Sequence, residues 1–154
     1  MPGPKLDLHT HYYPQVYFDK IRELPSEFAF DKSPSGQTII KYRWIVGHLG
    51  GAVPYLMERM DNGWRDFPEC REKIDELPSV YLRRLYYDTV NFNPHMLNMA
   101  REMFGADHMV MGSDYPHLLG SIDRAVSSIE NLDIPEEEKQ RIFAGTALAI
   151  LNNL

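Results

Sequence analysis

Four short runs rich in β-branched and aromatic residues punctuate the chain, and each gives way to a stretch with helical spacing: "LDLH" (6–9), "IIKYRWIVGHL" (39–49), "LRRLYYDTV" (82–90) and "HMVMGSD" (108–114). Strands alternating with helices at this interval select a parallel sheet, because parallel neighbours need a crossover connection. Behind Pro14, the residues Tyr17, Phe18, Ile21 and Leu24 fall at helical spacing. A second helix is expected through "PYLMERM". The third starts at Asn93 as cap with Pro94 behind it, buries Met96, Leu97, Ala100, Met103 and Phe104, and closes at Gly105. A fourth places Ile122, Ala125, Val126 and Ile129 on one face, and a fifth, "PEEEKQRIFAG", starts with acidic residues that suit the helix dipole. Segment 61–79 has no clear period, and 25–38, with its prolines, glycine and serines, is expected to be a linker. The fold class is therefore α/β: one domain over 1–154 with a parallel sheet of about four βα units.

Composition excludes several functions. The 154 residues are 44% hydrophobic and 25% charged, as in ordinary globular domains. No apolar run approaches the ~20 residues that span a bilayer, and no leader-like segment opens the chain, so a cytoplasmic protein with no membrane partner is expected. A net charge of −6 without a Lys/Arg cluster argues against nucleic acid. Cys70 stands alone and can form no internal disulfide. A small-molecule substrate would be met by local cations or a metal.

The chemistry-bearing residues gather at strand ends. Side chains alternate along a strand, so His9 and His11 of "HTH" point the same way and converge on one point, an arrangement that suits a metal. His48 in "VGHLGG", Asp88 with Asn91, and Asp114 in "MGSDYPH" stand at or just past the ends of the later runs. In parallel α/β folds ligands and catalysis collect at the C-terminal ends of strands. Each residue alone has a plainer explanation: a chance His-x-His, a hydrogen-bonded histidine under a glycine turn, a turn-forming aspartate beside Ser113 and Pro116. Their joint placement favours a site.

"DLHTHYYP", "IVGHLGGAVPYLMERM", "YYDTV" and "MGSDYPH" together resemble the amidohydrolase-related family, the metal-dependent TIM-barrel enzymes that include aminocarboxymuconate-semialdehyde decarboxylase and several aromatic-acid decarboxylases and hydrolases. The resemblance implies that His9, His11 and Asp114 are metal ligands and that His48 is the acid/base histidine, with Asp114 also accepting a proton in a hydrolase. His117 would stand behind the ligands. Apart from the resemblance, Arg59 is a candidate to meet a substrate carboxylate, against the commoner case of a surface arginine on a helix. The cofactor implied is a divalent metal, zinc first and manganese as the alternative.

The departures matter as much. A family barrel has eight strands in ~250 residues, so this chain is expected to be a partial TIM barrel resembling the first, sixth, seventh and eighth strands. The middle strands, and with them the fifth-strand metal histidine, have no counterpart. His95 and His108 fall at element starts and do not replace it, and Thr146 stands where the family commonly has Asn. Three protein ligands with an open position still make a viable zinc site. The implied function is a metal-dependent hydrolase or non-oxidative decarboxylase of a small, aromatic or carboxylated substrate. The contrasting expectation is an inactive remnant that serves as a binding module. Four strands cannot close a barrel, so a homodimer completing it is also expected, with each site either shared between copies or built within one chain.

Overall fold

A computed structural model describes Lys5, Asp7, the backbone of 29–32 and 38–41, and residues 43–152. The parallel sheet within these bounds has three strands in the order β3-β4-β5, where β3 is Ile45–Val46, β4 is Tyr86–Asp88 and β5 is Met109–Val110. Ile45 pairs with Tyr86 and Val46 with Tyr87, while Tyr87 and Asp88 pair with Met109 and Val110. The parallel α/β class is therefore observed. The "LDLH" run, with His9 and His11, and the expected helix behind Pro14 lie outside the described residues, apart from Asp7.

The run read as one strand from 39 onward is divided. Its first part, β2 (Thr38–Lys41), pairs antiparallel with β1 (Ala29–Lys32), and only Ile45–Val46 joins the parallel sheet. The hairpin also puts a strand inside the stretch expected to be a linker. β-Propensity reports a fit to a pleated surface, not the partner, so the two pairings look alike in sequence. Between β3 and β4 the chain forms α1 (Val53–Asp66), a 3-10 turn (Pro68–Arg71) and α2 (Pro78–Leu82). Buried Asp61 accepts a hydrogen bond from Ser79 N–H at 2.9 Å, which ties α2 to α1. This contact organises the segment whose period was unreadable.

β4 leads into α3 (Pro94–Phe104), and the cap is the expected one: Asn93 Oδ1 accepts from His95 N–H at 2.9 Å and Met96 N–H at 3.4 Å. Leu97, Ala100 and Phe104 are buried, whereas Met96 is exposed. After β5 come α4 (Ile122–Glu130) and α5 (Glu136–Gln140), then a π-helical turn (Arg141–Gly145) and α6 (Thr146–Leu151). On α4, Ala125 and Ile129 are buried while Ile122 is half exposed, and the helical run from Glu136 continues through Gly145 into α6. The π turn has a use: Ile142 C=O accepts Met111 N–H at 3.0 Å, holding the chain just past β5. Thr146 Oγ1 donates to Ala106 C=O at 3.2 Å from a buried position, so the residue that departs from the family pattern makes a contact of its own.

The sheet is covered on both faces. Tyr87 and Met109 pack with Leu97, Ala100, Phe104, Ala125 and Ile129, and Val110 packs with Ala147 and Ile150 on the opposite side. Strands buried on both faces need continuous apolar character, which "IV" and "MV" supply. Tyr87 is wholly buried, stacks on Phe104 with ring centroids 4.0 Å apart, and donates its hydroxyl to Leu82 C=O at 2.9 Å. Burial pushes its phenol up to about 12. Among the described residues no helix is long and apolar enough to cross a membrane.

Arg101 on α3 and Glu138 on α5 form a two-pronged ion pair, Nη2 to Oε1 at 2.9 Å and Nε to Oε2 closer still. The hydrogen bond from Arg101 holds the Glu138 carboxyl below its usual range. A lowered folded-state value contributes stability above the ordinary glutamate range, and that contribution is lost as pH falls through the lowered value. Both side chains are partly solvated, so the contribution is screened. Glu138→Gln is expected to lower the unfolding midpoint by ~2 °C at most near neutral pH, with the difference vanishing in acid, as calorimetry across pH would show.

Candidate active site

β3 ends at Val46, and the chain turns back over β4 through His48–Gly50. Four successive residues take positive φ: His48 at 54°, Leu49 at 55°, Gly50 at 78° and Gly51 at 57°. Glycine accepts this readily, while a residue with a Cβ is disfavoured by ~1–2 kcal/mol. Gly50 is required on a second ground, because a Cβ there would lie 2.8 Å from the Tyr87 ring. The turn is held by Gly50 N–H to Gly47 C=O at 3.0 Å, Gly51 N–H to His48 C=O at 2.9 Å and Leu49 N–H to Asp88 Oδ1 at 3.1 Å. Asp88 is wholly buried at the end of β4 and accepts Val90 N–H at 3.0 Å with the same oxygen. Leu49 is buried and His48 exposed, so the turn anchors one side chain below and presents the next above.

The second half of the site is the loop after β5. Gly112 N–H donates to Thr89 Oγ1 at 3.2 Å, and Ser113 N–H donates to Asp7 Oδ1 at 3.0 Å. Asp114 is 6% exposed with φ at 57°, another left-handed residue bearing a side chain. Its carbonyl accepts His117 N–H at 3.0 Å, Gly120 N–H returns to His117 C=O at 2.9 Å, and Ser121 N–H reaches Ser113 C=O at 2.8 Å. Tyr115 N–H donates to Ser113 Oγ at 3.1 Å, and the Tyr115–Pro116 peptide is cis. Gly120 packs so closely on the Asp114 carbonyl that any Cβ would overlap it. The loop is thus closed on itself before Ser121 caps α4 by accepting Arg124 N–H at 3.2 Å.

These two segments meet. His48, Asp114, His117, Leu118 and Leu119 line one depression of about 420 Å³ at the C-terminal end of the sheet. An aspartate and two histidines lining one depression bring together residue types that can move protons and that divalent metals take as ligands. Leu118 and Leu119, fully and 82% exposed, add an apolar wall to an otherwise polar rim. Arg59 is elsewhere: it lies on the exposed side of α1, in a separate depression with Glu58, Asn62, Asp66 and Phe67. His108 places Nδ1 2.8 Å from Leu85 C=O and stacks on Tyr86, and His95 is exposed in the first turn of α3. Among the described residues no group of three or more His, Cys, Asp or Glu side chains could by itself hold a metal. His9 and His11 lie outside those residues.

Sequence inspection placed Asp88 and Asn91 together at a strand end. The structure separates them: Asp88 is buried under the His48 turn, and Asn91 is exposed with its N–H on Thr89 C=O at 2.7 Å. Thr89, Gly120 and Asp7 were not singled out. Asp7 had a signal in the strand period, since it shares a face with His9 and His11 in an extended chain. Gly120 had none, because a close backbone approach leaves no mark in local sequence.

Residues 7–152 match the sequence profile of the family described as Amidohydrolase. The chain is 30% identical over 147 residues to 6-methylsalicylic acid decarboxylase of Penicillium expansum, covering 93% of this chain and 45% of that protein. It is 31% identical over 84 residues to 2-amino-3-carboxymuconate-6-semialdehyde decarboxylase of Caenorhabditis elegans, covering 54% of this chain and 21% of that one. Its fold is similar to the crystal structure of dihydroxybenzoic acid decarboxylase from Polaromonas sp. JS666, which contains bound manganese and the inhibitor 2-nitroresorcinol. That likeness has a TM-score of 0.63 at 30% identity and covers 71% of this chain and 33% of the other. The chain thus spans less than half the length of these relatives. The parallel sheet with its strand-end residues and a match running over nearly the whole sequence agree, and the chain belongs to the amidohydrolase family.

Proposed function

We propose that this chain acts as a metal-dependent, non-oxidative decarboxylase of a small carboxylated aromatic substrate, on a parallel sheet that forms part of a TIM-like barrel. The observation that carries the reading is the meeting of buried Asp114 with His48 and His117 at the C-terminal end of the sheet, in a chain whose relatives bear decarboxylase names. The donor chemistry suits a divalent cation, and Asp7, two residues before His9, is bonded to the residue preceding Asp114. Asp114, His9 and His11 would hold the metal, zinc or manganese, the latter being present in the Polaromonas enzyme. When bound, the cation supplies positive charge that orients a substrate carboxylate and its neighbouring oxygen.

In decarboxylation the bond between ring carbon and carboxylate breaks, carbon dioxide departs, and the electron pair left on the carbon takes a proton. His48 carries that proton, being exposed to the depression on a turn that fixes its backbone. Leu118 and Leu119 pack on the apolar face of the ring and exclude water from it. His117, held by its N–H on the Asp114 carbonyl, keeps the loop and the carboxylate in one geometry. Hydrolysis is the competing chemistry, with Asp114 accepting a proton from the attacking water.

Arg59 lies in a separate depression and has no part in this reading of the site. The Asp7 to Ser113 bond lies within one chain and supports a site of that chain's own residues, with dimerisation closing the sheet edges around it.

Tag-free protein should retain near-stoichiometric zinc or manganese by elemental analysis and release carbon dioxide from hydroxylated benzoates. The double change of His9 and His11 to Ala should remove the metal with helical content intact. His48→Ala should keep the metal and lower kcat by ~10²-fold or more. Absence of metal from the wild-type chain would favour the inactive binding module instead. Co-purified chains carrying the His9/His11 double change and Asp114→Ala should recover no metal site, because the ligands belong to one chain; recovery of one site per mixed dimer would show sites shared between copies.

A further inference from the structure

Asp88 is the wholly buried carboxylate in the parallel sheet, and one of its oxygens accepts two backbone N–H groups, from Leu49 at 3.1 Å and Val90 at 3.0 Å. The first of these belongs to the residue after His48. Both His48 and Leu49 sit in the left-handed region at φ 54° and 55°, a conformation that local sequence does not favour for side chains with a Cβ. Something outside the turn has to hold it there. The contacts that do so from β4 are the Tyr87 ring under Gly50 and the Asp88 carboxylate on the Leu49 N–H. The Leu49 N–H is buried, and leaving a buried N–H without an acceptor is disfavoured. The left-handed turn and the carboxylate that accepts its N–H therefore depend on each other.

We infer that Asp88 is the positioning residue for His48: its carboxylate, fixed at the end of β4, locks the left-handed turn that aims the imidazole into the depression it shares with Asp114. The same oxygen holds Val90 N–H, and Thr89 beside it accepts Gly112 N–H on the way to Asp114. Two consecutive residues, Asp88 and Thr89, therefore hold the backbone of both flanking segments, Asp88 on the His48 side and Thr89 on the Asp114 side. The inference rests on the reading of His48 as the proton carrier for its catalytic consequence, and on geometry alone for its structural one.

The test uses the isotope-labelled 154-residue chain and two variants, Asp88→Ala and Asp88→Asn, followed by amide hydrogen exchange and by the ring carbon and proton signals of His48. Asp88→Ala should speed exchange at Leu49 by ~10-fold or more while α3 and α4 keep their protection, and should move the His48 ring signals. Asp88→Asn, which retains an acceptor oxygen, should hold Leu49 exchange within a few-fold of wild type and restore most of the His48 signal position. A His48 ring signal unmoved in a folded Asp88→Ala chain would overturn the inference. If Asp88→Ala does not fold, Asp88→Glu decides, since it keeps the carboxyl group and displaces it by one methylene: shifted His48 signals with intact helices are expected, and unshifted signals overturn the claim. In turnover, Asp88→Ala should lower kcat with little change in KM, and that effect should disappear in a His48→Ala background. Should His48→Ala itself leave turnover unchanged, the proton-carrier reading fails while the exchange and ring-signal results still judge the positioning claim.

Discussion

The parallel ladder on either side of β4 is the constraint from which the other described elements take their places. Tyr87 sits at its centre, wholly buried, with its ring stacked on Phe104 of α3, its hydroxyl on Leu82 of α2 and its edge against Gly50 of the His48 turn. A single side chain therefore touches the helix before its strand, the helix after it, and the turn that ends the neighbouring strand. Its hydroxyl has to donate because no water reaches it, and the same desolvation that raises its ionisation range keeps the phenol neutral. Interior packing at near-crystalline density explains why Gly50 tolerates no Cβ above that ring.

Turn hydrogen bonds within each segment build the site, and backbone amides finding side-chain acceptors join the segments to one another. Asp88 takes the N–H groups of Leu49 and Val90, Thr89 takes that of Gly112, Asp7 takes that of Ser113, and Ser113 takes that of Tyr115. Past the ends of short strands the ladder stops, and each buried N–H then needs another partner. Polar side chains supply it, and in doing so they fix irregular backbone as firmly as a sheet would. That is how His48 and Asp114 come to hold left-handed conformations in segments with no regular structure. Strain of this kind persists only where surrounding contacts over-determine it.

Much of this was legible from residues alone. Capping at Asn93 with Pro94 behind it, the buried positions Leu97, Ala100 and Phe104, and the alternation of strands with helices are local signals that the structure bears out. Edges of helix faces were read less well: Met96 and Ile122 carry apolar side chains at near-core spacing yet are exposed, because periodicity gives the direction of a face and not its width. The helical run from Glu136 continues through Gly145 by way of a π turn, and within that turn Ile142 C=O accepts Met111 N–H just past β5, a contact with a segment distant in sequence.

Sequence by itself determined the class of the sheet and the family, because strand period, turn glycines and colinear motifs are properties of the chain in one dimension. Tertiary structure decided what the site residues rest on. That Asp88 reaches under Leu49 across 39 positions, that Asp7 meets Ser113 across 106, and that Gly120 must be bare to let Asp114 turn are contacts between segments remote in sequence. Arg59 shows the converse: its place in a motif is local, but the face on which α1 leaves it is set by how the helix packs, and packing is settled only when every element competes for the same buried volume.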